Sequence, residues 1–94
     1  MIKDKYQGWT NYETWVTKLW IDNDQGNLIE LEEIIKVNKG MELWRVASTV
    51  EDYVRSYMIP ELPASLATDL LNASMCEVDW QEITIDLKEQ YGVK

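Results

Sequence analysis

The 94-residue sequence has no histidine, no phenylalanine and one cysteine, and these gaps exclude a good deal of chemistry. Without histidine there is no Ser-His or Cys-His nucleophile pair, no imidazole zinc ligand and no histidine general base. The lone Cys76 permits neither an intrachain disulfide nor a four-cysteine metal site, and is expected as a buried thiol. The four glycines, at 8, 26, 40 and 92, are isolated, so there is no glycine-rich phosphate loop. No apolar run reaches the roughly 18 residues a membrane span needs. The opening MIKDKYQG has no apolar stretch of the kind found in signal peptides. A soluble, cytoplasmic protein without membrane contact is expected.

What survives is carboxylate chemistry. With 17 acids, close pairs of carboxylates carry no information, and a domain of this size leaves little room for a substrate pocket. We therefore expect no enzyme, no catalytic residue, no cofactor and no bound metal. One spacing invites a test, since Asp22, Asp24 and Glu33 fall at positions 1, 3 and 12 of a calcium loop. It fails at Gly26, which leaves position 5 without a side-chain oxygen and displaces by one the glycine needed at 6. A helix end followed by a capped helix explains the same residues.

Charge is the first positive signal: 17 acidic against 9 basic residues, a net of −8. Residues 51 to 94 hold 9 acids and 3 bases, so the second half is the acidic one. Such a chain repels phosphate backbones, so direct nucleic-acid binding is not expected and a basic protein surface is the favoured partner. The second signal is five Trp and five Tyr, rings with a polar handle that are enriched at interfaces.

The periodicity predicts an all-α fold, a compact bundle of four to five helices in one domain over residues 1–94, with 1–7 as a flexible or loosely docked arm. The first helix is expected to organise the rest. Thr10 and Glu13 fit a capping box, and Tyr12, Trp15, Val16, Leu19 and Trp20 form an apolar stripe that belongs to a core or to a partner. A second helix fits Leu28 to Val37, capped by Asn27, with Leu28, Leu31, Ile34 and Ile35 as its stripe and Gly40 at its end. The third and longest runs from about Met41 to Met58 on Leu43, Val46, Ala47, Val50, Val54 and Tyr57 and stops at Pro60. Trp44 lies roughly 100° off that stripe, near Glu51 and Arg55, and is expected to be partly exposed.

The fourth helix, about Ala64 to Met75, is apolar on two sides, Leu66 and Leu70 against Leu71 and Met75. Such a helix is either central in the bundle or covered by another subunit, which admits a homodimer. Asp79 and Glu82 form a capping-box variant for a fifth helix with Trp80, Ile83, Leu87 and Tyr91 as its stripe, ended by Gly92.

GWTNYETW followed by LWIDND, Gly8 to Asp24, resembles the opening of an uncharacterised family of small phage- and plasmid-encoded proteins with a Gly-Trp-x-Asn-Tyr-Glu-Thr-Trp signature. A weaker similarity lies at Val78-Asp79-Trp80-x-Glu82-Ile83. The resemblance implies a mobile-element origin and carries over no reaction or catalytic residue. By analogy with other small acidic phage proteins it points to inhibition of host defence. Two readings of the signature stand: caps and core anchors, or an exposed aromatic patch of Trp9 and Tyr12.

The expected function is thus a non-catalytic acidic binding protein of a mobile element in the host cytoplasm, an inhibitor that occupies a basic surface of a host defence or nucleic-acid-processing protein. Its expected contacts are Glu51, Asp52, Glu61 and Asp69, with Trp44 as aromatic anchor. The alternative is a structural or assembly protein acting through self-association.

Overall fold

The computed structural model describes residues 6–93, and the part of the expected arm at residues 1–5 lies outside them. Five helices follow in order: α1 (Tyr12–Asp22), α2 (Gln25–Val37), α3 (Leu43–Tyr57), α4 (Leu66–Met75) and α5 (Trp80–Gln90). The fold is an all-α bundle; among the described residues the only β-type pairing is an isolated bridge between Tyr6 and Trp9. That bridge closes a tight turn, in which Tyr6 and Trp9 exchange both backbone hydrogen bonds at 2.8 Å. Gln7 at φ 51° and Gly8 at φ 88° supply the two left-handed residues such a turn needs. Tyr6 and Gln7, assigned above to the arm, are thereby docked, and the Tyr6 ring packs 4.9 Å from that of Trp15.

The centre of the bundle is the α3–α5 pair, which share the most extensive interface, rather than α1. Their stripes read as predicted: Val46, Ala47, Val50 and Val54 from α3 meet Trp80, Ile83 and Leu87 from α5 in one core. Leu31 and Ile35 of α2, Ile21 of α1, Met75 of α4 and Val78 complete it, while Tyr57, the expected last stripe residue of α3, is exposed. Burying each large side chain in this cluster contributes about 1.5–3 kcal/mol before chain entropy.

Helix ends differ from expectation where a better oxygen is nearby. α1 is capped by Asn11, whose Oδ1 accepts the Thr14 amide at 2.9 Å; Thr10 serves elsewhere. α2 starts earlier than expected because Asp24, not Asn27, caps it; the Asp24 carboxylate takes both the backbone and the side-chain amide of Asn27. Ser65 caps α4 and Asp79 caps α5. At the other end of α5, Val93 donates its amide to the Lys88 carbonyl and Gly92 to that of Glu89. This is the Schellman arrangement, made possible by Gly92 at φ 66°.

α1 departs most from its sequence pattern. Its buried residues are Thr14, Lys18 and Ile21, while Tyr12, Leu19 and Trp20 of the expected core stripe are exposed. The polar side goes inward because every polar atom on it is satisfied. The Lys18 ammonium, 3% exposed, reaches Asp22 at 2.6 Å and Asp86 at 2.8 Å. Its third donor goes to Gln90 Oε1 at 3.1 Å. Among the described residues no buried side-chain nitrogen or oxygen lacks a partner.

α4 lies at the edge of the bundle and makes no extensive contact with another helix. Met75 on its inner side is buried, whereas Leu66 and Leu70 on its outer side are 74% and 60% exposed. Of the two placements that its two-sided pattern allows, the central one is thereby excluded. Cys76, expected to be buried, caps the C-terminus of α4 and is exposed.

Candidate functional site

The signature segment and the start of α5 are built into each other. Thr14 Oγ1 donates to Asn11 Oδ1 at 2.6 Å and accepts the Asp79 amide at 2.9 Å. Asn11 Nδ2 donates to the Glu77 carbonyl at 2.7 Å, and Glu82 Oε1 accepts the Thr10 amide at 3.0 Å. In a self-contained capping box Glu82 would take the Asp79 amide. Here the Asp79 half of the box forms normally, its carboxylate accepting the Glu82 amide at 3.0 Å, and the other half is shared between two helices. The two segments singled out by resemblance, Gly8 to Asp24 and Val78 to Ile83, are therefore one structural unit. Trp9 packs half-buried against the core, and Tyr12 is exposed beside Tyr6 at 5.1 Å between ring centroids.

That unit sets one wall of a cleft between α3 and α5. The cleft has a volume of about 420 Å³ and is lined by Trp44, Glu51, Asp79 and Trp80, among others. Trp44 and Glu51 share it because they lie two turns apart on α3. Trp44 is 56% exposed. Its indole N–H donates to Glu42 at 3.0 Å, and the Arg45 guanidinium lies 5.4 Å from the ring centroid. Glu51 accepts from Arg55 Nε at 2.8 Å. The cleft thus combines a half-exposed indole, with the Arg45 guanidinium over its ring, and three carboxylates at or near its edge, Glu42, Glu51 and Asp79.

The remaining expected contacts lie elsewhere. Asp52, next to Glu51 on α3, is exposed and does not line the cleft; Glu61 lines a separate polar depression with Arg55 and Pro60. Asp69 sits exposed in the first turn of α4. Trp80, read from the sequence as core alone, also lines the cleft, because a residue in the first turn of α5 touches both the core and the helix opening.

Of the calcium-loop acids, Asp22 pairs with Lys18 and Asp24 caps α2. Among the described residues no group of three His, Cys, Asp or Glu side chains is placed to hold a metal ion. No helix among them is long and apolar enough to cross a membrane.

A second concavity, of about 360 Å³, lies between the exposed side of α1 and the inner side of α4. Tyr12, Val16 and Trp20 form one wall, Leu71 and Met75 the other, and Met58 contributes from the end of α3. Glu13 is its one charged lining residue.

A family model matches residues 2–92. The chain belongs to the family of unknown function DUF7249. The match spans all five helices of this DUF7249 member, including both segments of the shared α1–α5 cap and both concavities. No curated protein and no solved structure matches the chain.

Proposed function

We propose that this chain is a non-catalytic acidic binding protein whose partner offers a basic protein surface, with Trp44 as the anchor and Glu51 as the adjoining charge. The supporting observation is the exposed Trp44 indole in a cleft edged by Glu42, Glu51 and Asp79 on a chain of net charge −8. Exposed tryptophans flanked by complementary charge are the side chains that dominate binding energies, and the charges set approach rate and partner sign. A lysine or arginine of the partner would meet both an aromatic face and a carboxylate there. Asp52, Glu61 and Asp69 then act as outlying charges that steer approach rather than as contacts of the cleft. The further reading, an inhibitor of a host defence or nucleic-acid-processing protein encoded by a mobile element and acting in the host cytoplasm, draws its support from the sequence signature and the acidity.

The test is capture of partners from a host lysate at low and high salt by the wild-type chain and by Trp44→Ala, Glu51→Lys and Asp52→Lys. The expected result is a basic protein whose capture weakens with salt, falls about tenfold or more with Trp44→Ala, and falls less with Asp52→Lys than with Glu51→Lys. Binding to a captured partner that survives Trp44→Ala and Glu51→Lys unchanged would overturn the proposal. The second reading, a structural or assembly protein acting through self-association, is favoured by α4, whose Leu66 and Leu70 are exposed.

A further inference from the structure

The concavity between α1 and α4 and the apolar side chains around it are unlike the rest of the surface. Trp20 stands at the rim, 67% exposed, beside the groove whose wall it helps to form. Tyr12 and Leu19 are exposed on the same helix, and Leu66 and Leu70 continue the apolar surface on α4. Charge is scarce here: Glu13 alone lines the groove, and residues 60–75 carry only Glu61 and Asp69. Elsewhere the chain is densely acidic.

We propose that this face is where two copies of the chain associate, with Trp20 of each copy seated in the α1–α4 groove of the other. Charge selects the occupant. A basic partner gains nothing from a groove with one carboxylate when the acidic surface lies elsewhere. Two chains of net charge −8 repel each other, and meet at least cost through a face poor in charge, such as this one with Glu13 alone in its groove. Geometry selects it as well, because the projecting indole and the groove lie side by side on one face. A two-fold rotation brings each indole to the other groove, and such a contact closes on itself.

The area fits a modest dimer. Taking roughly 150–250 Å² for each aromatic side chain and less for each leucine, the exposed parts of Tyr12, Leu19, Trp20, Leu66 and Leu70 come to about 500 Å² per copy. The total of about 1,000 Å² lies below the roughly 1,200–2,000 Å² of stable interfaces, so the association is a weak, reversible one. The surface is separate from the Trp44 cleft, and the proposal stands or falls independently of the partner read there.

Sedimentation velocity of the full chain, from about 1 to 500 µM and at about 50 and 500 mM NaCl, tests this. The expected result is a monomer–dimer equilibrium that tightens with salt, since screening relieves repulsion between like-charged copies. Trp20→Glu and Leu70→Glu, both at exposed positions and checked for helix content by circular dichroism, should each raise the dissociation constant at least tenfold, whereas Trp44→Ala leaves it unchanged. If Trp20→Glu lowers helix content, Leu70→Glu decides alone. A monomer throughout the range at both salts overturns the proposal. So does a dimer equally tight in both glutamate variants, or one that Trp44→Ala dissociates. A monomer that instead holds an apolar helix of another protein in the groove also overturns it.

Discussion

α3 and α1 both carry apolar side chains at helical spacing and use them in opposite ways. In α3 the stripe Val46, Ala47, Val50 and Val54 is buried against α5. In α1 most of the stripe turns outward, with Tyr12, Leu19 and Trp20 exposed and Trp15 and Val16 half-buried, and the buried side is Thr14, Lys18 and Ile21. An apolar period therefore reports that a helix has something to cover, and only the supply of matching groups on its neighbours decides whether this chain covers it. α5 offers α3 a row of apolar side chains. To α1 it offers the Asp79 amide, Asp86 and Gln90, to which the polar side is complementary.

The comparison breaks most visibly at a pair of leucines. Leu87→Ala on α5, at a fully buried position, should cost about 2–5 kcal/mol in urea unfolding. Leu70→Ala, measured at a protein concentration low enough to keep the chain monomeric, should stay within about 0.5 kcal/mol. Equal costs would mean that the outer side of α4 is covered within one chain.

A smaller effect is expected at Lys18. Lys18→Ala should destabilise by about 2–3 kcal/mol, less than the loss of one partner from a fully buried pair, because Asp22 and Asp86 both reach water. Lys18→Met, which keeps the buried stem, should cost less than the alanine variant. If both are neutral, the polar side of α1 does not hold it to α5.

The smallest effect belongs to Thr14→Val, which preserves shape and removes the hydroxyl that accepts the Asp79 amide. A loss of about 1 kcal/mol follows from leaving that part-buried donor without its partner. Amide hydrogen exchange sharpens the test: faster exchange confined to Asp79 and the first turn of α1 is expected, with α3 unchanged.

The α3–α5 core was legible in the sequence because local period and tertiary burial coincide there, at Val50 and Val54 as at Ile83 and Leu87. The placement of α1 was not, because the local partners Asn11 and Asp22 satisfy Thr14 and Lys18 only in part, and the groups that complete them lie 65 and 72 residues away, outside any local window. Trp44 could be marked as exposed, being off the stripe of its own helix, and Glu51 came with it by helical spacing. Asp52, Glu61 and Asp69 stand out in the sequence by charge alone, and charge does not encode position. Trp20 was read as core for the reason that α1 was read as buried by its apolar side.

The cap shared by α1 and α5 also has a consequence for the order of folding. Asn11 can cap α1 at once, but the Thr10 amide and the Thr14 hydroxyl find Glu82 and Asp79 only after a loop of some seventy residues has closed. Closing such a loop costs entropy that grows with its length and is recovered only when both helix starts are in place. α3 and α5 are nearer in the chain and share the most extensive interface, so they are expected to form the nucleus. α1, although first in the chain, is then expected to complete its contact with α5 late, so substitutions at Thr14 should speed unfolding while leaving the folding rate nearly unchanged.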